Sequence, residues 1–111
     1  MSGRSQHLLV ESQAVWGKPE AGRLLREAVT LAEAGDRVIL YLVEDGVFAA
    51  VSDAVPELAR LVELGSEVWA DDVSLSHRAL AATRVAPYVR VKDAASLDVV
   101  VREADGRVAW H

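Results

Sequence analysis

No cysteine occurs in the 111 residues, and the one methionine, Met1, carries the only sulfur. Disulfides, thiolate metal ligation, thiol nucleophiles and persulfide carriage are thereby excluded, because each needs a sulfur that can lose a proton and a thioether has none to lose. Aromatic residues are few: three Trp, two Tyr and one Phe. Apolar runs are short. None approaches the roughly 18 residues of a membrane-spanning helix, and Leu8, Leu9 and Val10 after the Arg4 region are too brief for the core of a signal peptide. Positive charge is in deficit as well, with 12 Lys and Arg against 17 Asp and Glu for a net charge of −5. No basic cluster exists to neutralise phosphates, which argues against direct nucleic-acid contact. Glycine-rich phosphate cradles are missing. His7, His77 and His111 stand apart, without the spacing of metal ligands. These absences lead to the expectation of a cytoplasmic chain with no cofactor, no bound metal and no membrane contact.

What is present is enough apolar character, 51% of residues, to build a core. The length fits one domain over residues 1–111. At this size roughly 60–70% of the unfolded surface can be buried, so the stability margin is modest and oligomerisation would be a natural supplement.

The apolar pattern alternates between two kinds of element. Residues 7–11 read as a short strand. Residues 12–18 read as a loop, and Pro19 suits the first turn of a helix. Ala21, Leu24, Leu25, Ala28, Leu31 and Ala32 then recur at helical spacing, and Gly35 stops the helix. Val38 to Val43 is a β-branched apolar run between Gly35-Asp36 and Asp45-Gly46, the mark of a strand buried on both faces of a parallel sheet. Val47 to Val51 start a helical turn. Pro56 opens a second helix with Leu58, Leu61 and Val62 inward and Gly65 as its stop. Glu67 to Ala70 predict a third strand, and Ser74 predicts the N-cap of a helix from Leu75 to about Ala82. Pro87 opens a strand through Val91. Asp93 caps a helix with Leu97, Val100, Val101 and Ala104 inward, although Val99-Val100-Val101 also suits a strand. Gly106 leads into a last strand, 107–110. This order predicts an α/β fold, a mostly parallel central sheet of about five strands with helices on both faces. In such sheets ligands bind beyond the carboxyl ends of the strands, here 12–17, 44–47 and 71–74.

Three segments on this scaffold carry a resemblance. Gly35-Asp36 precedes an apolar strand that ends in Glu44-Asp45-Gly46-Val47 and continues Ala49-Ala50-Val51. Val68-Trp69-Ala70 is followed by Leu75, Arg78 and Leu80. The chain finishes Val108-Ala109-Trp110. With this spacing over nearly its whole length the chain resembles the DsrE/DsrF/DsrH sulfur-relay family, and within it the DsrH/TusB branch. The resemblance implies a DsrE-like fold and assembly with DsrE- and DsrF-like subunits, or with copies of itself, into ring-like or stacked hexamers. It also implies a place in a relay that passes persulfide sulfur between cysteines, serving 2-thiouridine formation on tRNA or cytoplasmic sulfur oxidation. In the DsrE type the carrier cysteine lies just after the third strand, and that position falls at about Asp71 here. Ala79 stands where a glycine usually follows the arginine, and Ser74 where the DsrH branch often has an acidic residue.

The candidate residues each have a plainer reading. Asp71 and Asp72 suit a carboxylate pair for acid–base work, or a solvated helix entrance that complements the helix dipole. Asp45-Gly46 suits a functional loop, or a turn in which Asp bonds nearby backbone and Gly supplies a positive φ. Ser74, His77 and an aspartate would make a nucleophile system, but no glycine elbow or oxyanion device accompanies them. Trp16 in the first loop and Trp110 near the end suit interface anchors, whereas Trp69 suits the core. The leading expectation is a non-catalytic subunit in which Trp16, Asp45, Gly46, Val47, Asp72, Ser74, Arg78 and Trp110 shape loops or interfaces. The alternative is a stand-alone homo-oligomeric module that binds a small ligand near 12–17 and 71–74.

Overall fold

The computed structural model describes residues 5–15, 22–51, 55–104 and 107–111. Five strands alternate with helices: β1 (Gln6–Glu11), α1 (Arg23–Glu33), β2 (Arg37–Leu42), a 3-10 segment (Glu44–Val51), α2 (Pro56–Glu63), β3 (Glu67–Asp71), α3 (Asp72–His77), a 3-10 turn (Ala82–Arg84), β4 (Val89–Lys92), α4 (Ala95–Glu103) and β5 (Val108–Trp110). The strands form one sheet in the order β4-β3-β2-β1-β5. Every pairing is parallel, with Leu9 beside Leu40 and Leu40 beside Val68 in register.

Side chains alternate across this sheet and divide the core in two. On one face Leu9, Val38, Leu40, Leu42, Val68 and Ala70 pack under Leu24, Leu25 and Ala28 of α1 and Leu58 and Leu61 of α2. On the other, Leu8, Val10, Ile39, Tyr41 and Trp69 meet Val100 and Ala104, at the α4 side. β2, the middle strand, is buried at every position after Arg37, which is why it reads in sequence as an unbroken apolar run. Coverage on the α4 side is thinner. Val99, Val101, Val108 and Trp110 remain exposed. Val101 was expected inward, but α4 is narrow in its contact, and only Val100 of the three valines is buried. The run is a helix, not a strand.

Two boundaries differ from the sequence expectation for physical reasons. The third helix is not capped by Ser74 and does not reach Ala82. It starts at Asp72, because the Asp71 carboxylate at the strand end accepts the Ser74 backbone N–H at 3.0 Å and acts as the N-cap. β4 begins at Val89 and not at Pro87, since a turn across the proline is closed by the Val89 N–H to the Ala86 carbonyl at 2.9 Å. Pro19, Ala21 and Gly106, named above as helix and strand signals, lie outside the described residues. Among the described residues, no helix is long and apolar enough to cross a membrane.

The stops of α1, α2 and α3 share one geometry. After α1, Asp36 N–H reaches Leu31 O and Gly35 N–H reaches Ala32 O; after α2, Ser66 N–H reaches Leu61 O and Gly65 N–H reaches Val62 O. Both glycines have positive φ, 98° and 88°. This is the Schellman stop, which favours glycine at the left-handed position. α3 ends the same way, with Leu80 N–H to Leu75 O and Ala79 N–H to Ser76 O, but the left-handed residue is Ala79 at φ 54°. A Cβ there is strained. Replacing Ala79 with Gly is therefore expected to raise stability by about 0.5–1 kcal/mol, read as a higher urea midpoint with unchanged slope.

Candidate functional site

The carboxyl ends of β2 and β3 lie side by side, and the residues that follow them are tied into one polar knot. Asp71, the last residue of β3, accepts three hydrogen bonds. Tyr41 Oη of β2 donates to Oδ1 at 2.7 Å, and Ser74 N–H and Ser74 Oγ donate to Oδ2 at 3.0 and 2.7 Å. Ser74 Oγ in turn accepts the Glu44 backbone N–H at 2.8 Å. Glu44 sits at φ 50°, a left-handed conformation that a non-glycine residue holds only where its surroundings fix it. Arg78 closes the outer side, donating from Nε to Asp45 at 3.0 Å and from Nη1 to the Ser74 carbonyl at 3.2 Å.

Tyr41 anchors the knot from inside the sheet. It is 1% exposed, with the Trp69 ring edge-on at 6.1 Å, and Lys92 lies 5.0 Å from the centre of that indole. Burial, and then the hydrogen bond to Asp71 and the negative charge of Asp71, Asp72 and Asp93, push the phenol's pKa well above its ordinary value of 10.0. The hydroxyl is held as a donor.

This arrangement decides among the candidate readings. Both Asp71 oxygens are occupied, and Asp72 turns its carboxylate to the Val73 N–H at 2.7 Å on the exposed side of the helix. Ser74 is buried, and its hydroxyl is spent as both donor and acceptor. His77 is exposed, and among the described residues it has no hydrogen bond to Ser74. Serine, histidine and aspartate are therefore not assembled as a nucleophile system. Asp45 bonds Arg78, not nearby backbone, and the positive φ of this turn belongs to Glu44, not Gly46. Gly46 is required for another reason: a Cβ there would overlap the Glu11 carbonyl oxygen at the end of β1. Val47 is fully buried in the core. Trp69 is 6% exposed and Trp110 is 65% exposed on the edge strand; Trp16 lies outside the described residues.

Three residues escaped the sequence reading. Tyr41 looked like one more core residue. Glu11 is wholly buried; its Oε2 accepts the Gln13 N–H at 3.0 Å and pairs with His111 Nδ1 at 2.8 Å, while Oε1 has no partner. A carboxylate closing an apolar strand was the available signal, since buried charges are paired. His111 reads in sequence only as one of three isolated histidines. The structure instead extends the β5 ladder to it, with His111 N–H on the Val10 carbonyl at 2.8 Å and its own carbonyl taking the Ser12 N–H at 2.7 Å. At the opposite rim Glu67 joins Arg37, Arg90 and the Trp69 indole N–H at 3.1–3.2 Å. Burial raises that carboxyl, but these donors and cations outweigh it and hold the pKa below the ordinary 4.5. Among the described residues no group of His, Asp and Glu is placed to hold a metal ion.

A five-stranded, all-parallel sheet with these helices is a DsrE-like α/β fold. The YchN protein from E. coli shares it, with a TM-score of 0.81 and 18% identity over 96% of this chain and 99% of that one. So does MTH1491, a protein of unknown function from Methanobacterium thermoautotrophicum, with a TM-score of 0.72 and 14% identity over 98% of each chain. No protein-family model matches the chain, and no curated protein matches it in sequence. The likeness is one of fold.

The raised Tyr41 pKa has a signed consequence. Its contribution to stability is complete below the unfolded value near 10.0 and is lost as pH rises towards the higher folded value. In a Tyr88→Phe background, which leaves Tyr41 as the only tyrosine, phenolate absorbance is expected to appear together with alkaline unfolding. A free-phenol titration in the folded state would contradict the bond to Asp71.

Proposed function

We propose that the chain is a non-catalytic, DsrH/TusB-like subunit of a sulfur-relay complex, serving tRNA 2-thiouridine formation or cytoplasmic sulfur oxidation through thiols that its partners supply. The observation that carries this reading is Asp71. It stands at the start of a helix after the third strand, where the resemblance puts the carrier cysteine, and the chain has no cysteine anywhere. A helix start favours a thiolate or persulfide anion. An aspartate keeps the negative charge there and cannot carry sulfur.

The surroundings support a shaping role. Arg78, Asp45 and Ser74 fix the loop after β2 against α3, which gives a neighbouring subunit a defined rim. Trp110 and Val108 leave apolar surface on the edge strand, of the kind that partner chains cover. The partners in this reading are DsrE- and DsrF-like subunits, in a cytoplasmic hetero-oligomer.

Affinity purification of the tagged chain from its native source, with mass spectrometry of what accompanies it, tests the reading. A stoichiometric DsrE-like chain bearing a cysteine at the matching position is the expected result. Recovery of this chain by itself would contradict it.

A further inference from the structure

The sheet ends in two edge strands, and they are built differently. On β4 the charged residues Arg90 and Lys92 alternate with Val89 and Val91, and charge on an edge strand is a common guard against pairing with another chain. β5 is Val108-Ala109-Trp110 and has no charge within the strand. Its outer residues are exposed and apolar, Val108 at 43% and Trp110 at 65%.

The hydrogen bonds to β1 show which backbone groups this edge leaves open. Leu8 N–H donates to the Arg107 carbonyl at 2.9 Å, His111 N–H to the Val10 carbonyl at 2.8 Å, and Ser12 N–H to the His111 carbonyl at 2.7 Å. Residues 107 and 111 thus turn their backbone groups to β1. Because these groups alternate along a strand, Val108 and Trp110 turn their N–H and C=O outward. Among the described residues β1 is the one strand that β5 pairs with, so the outward groups meet no strand. The two residues with open backbone are also the two with exposed apolar side chains. Those side chains lie on the α4 side, in register with Leu8 and Val10, while Ala109 between them packs towards the α1 side.

A row of outward donors and acceptors at strand spacing selects an extended strand as its occupant, and this edge is complementary to itself. We propose that β5 pairs antiparallel with β5 of a second copy, about a two-fold axis at Ala109. Val108 then lies opposite Trp110 of the second copy, and Trp110 opposite its Val108. Each pair exchanges both of its N–H···O bonds, which is the pattern that outward groups at these residues require. Both are aromatic–β-branched pairs on one face of the sheet, a favourable cross-strand combination. Ala109 meets Ala109 on the axis, where the strands approach to about 4.5 Å between Cα atoms and a small side chain fits. Arg107 lies opposite His111 of the second copy, whose imidazole is already paired with Glu11. A three-residue edge buries well under the roughly 800 Å² per partner of a standard interface, so the pairing is weak by itself. The inference goes beyond the sulfur-relay reading. It uses no residue of the Asp71 knot and leaves that rim to other subunits, so either can fail without the other.

The absence of cysteine makes a clean test possible. Ala109→Cys places a single thiol on the axis, where a Cα separation of about 4.5 Å lies within the range that a disulfide spans. Under mild oxidation of the full chain this variant is expected to form disulfide dimers roughly tenfold faster than Val91→Cys on the β4 edge. Sedimentation of the parent chain between about 10 μM and 1 mM is expected to show a monomer–dimer equilibrium with a Kd on the order of 0.1 mM. Trp110→Lys should weaken it about tenfold or more, with an unchanged far-UV spectrum because the side chain is exposed. A monomer over the whole range, equal cross-linking at both sites, or unchanged association of Trp110→Lys would overturn the proposal. An edge covered by a strand of a different protein gives the first of these results.

Discussion

A carboxylate at the end of a buried parallel strand must find donors among its neighbours, and Asp71 finds them on two elements at once. Tyr41 reaches it from β2, so the bond crosses from strand to strand. Ser74 reaches it from the helix that Asp71 itself begins, and Ser74 passes the connection on to the backbone of Glu44. One side chain thus sets the start of α3, fixes the strained turn after β2 and holds a buried phenol in its neutral form. Each of these is worth little alone, typically about 1 kcal/mol. Joined in a poorly solvated place they reinforce one another, and the loss of any member leaves others unpaired.

The same rim has a second constraint, of space and not of charge. β1 and the 3-10 segment after β2 approach so closely that only a residue without a side chain fits at Gly46. The Glu11 carbonyl is engaged there by the Val43 N–H at 3.0 Å, and the Glu11 side chain turns to His111 on the neighbouring strand. The carboxyl ends of four strands are in this way locked by two separate networks, one around Asp71 and one around Glu11. In the first, both Asp71 oxygens, the Tyr41 hydroxyl and the Ser74 hydroxyl are all engaged. The second joins the His111 imidazole to Glu11, one of whose oxygens has no partner.

Much of this was legible in the sequence, and the limits have physical causes. The run Val38 to Val43 announced a strand buried on both faces, and Gly35 and Gly65 announced helix stops, because burial and left-handed backbone select residue types directly. A mostly parallel sheet followed from the alternation of elements, and the structure makes every pairing parallel. Residue pairs far apart in the chain were not legible. Nothing local says that Tyr41 bonds Asp71 or that His111 bonds Glu11, thirty and one hundred residues away. The early start of α3 was missed because aspartate and serine both cap helices well, and only the strand geometry shows which of the two stands at the boundary. Gly46 was read as part of either a functional loop or a turn, whereas it sits at a close approach to the Glu11 carbonyl, and one residue type serves all of these needs.

The reading of the chain as a partner of sulfur carriers rests on Asp71 being a structural replacement for a thiol. The direct measurement is the unfolding free energy of Asp71→Ala against the parent, by chemical denaturation at neutral pH. Loss of the helix cap together with the stranded Tyr41 hydroxyl predicts a destabilisation of about 2–4 kcal/mol. A loss below about 0.5 kcal/mol, the range of an unremarkable surface substitution, would contradict the account.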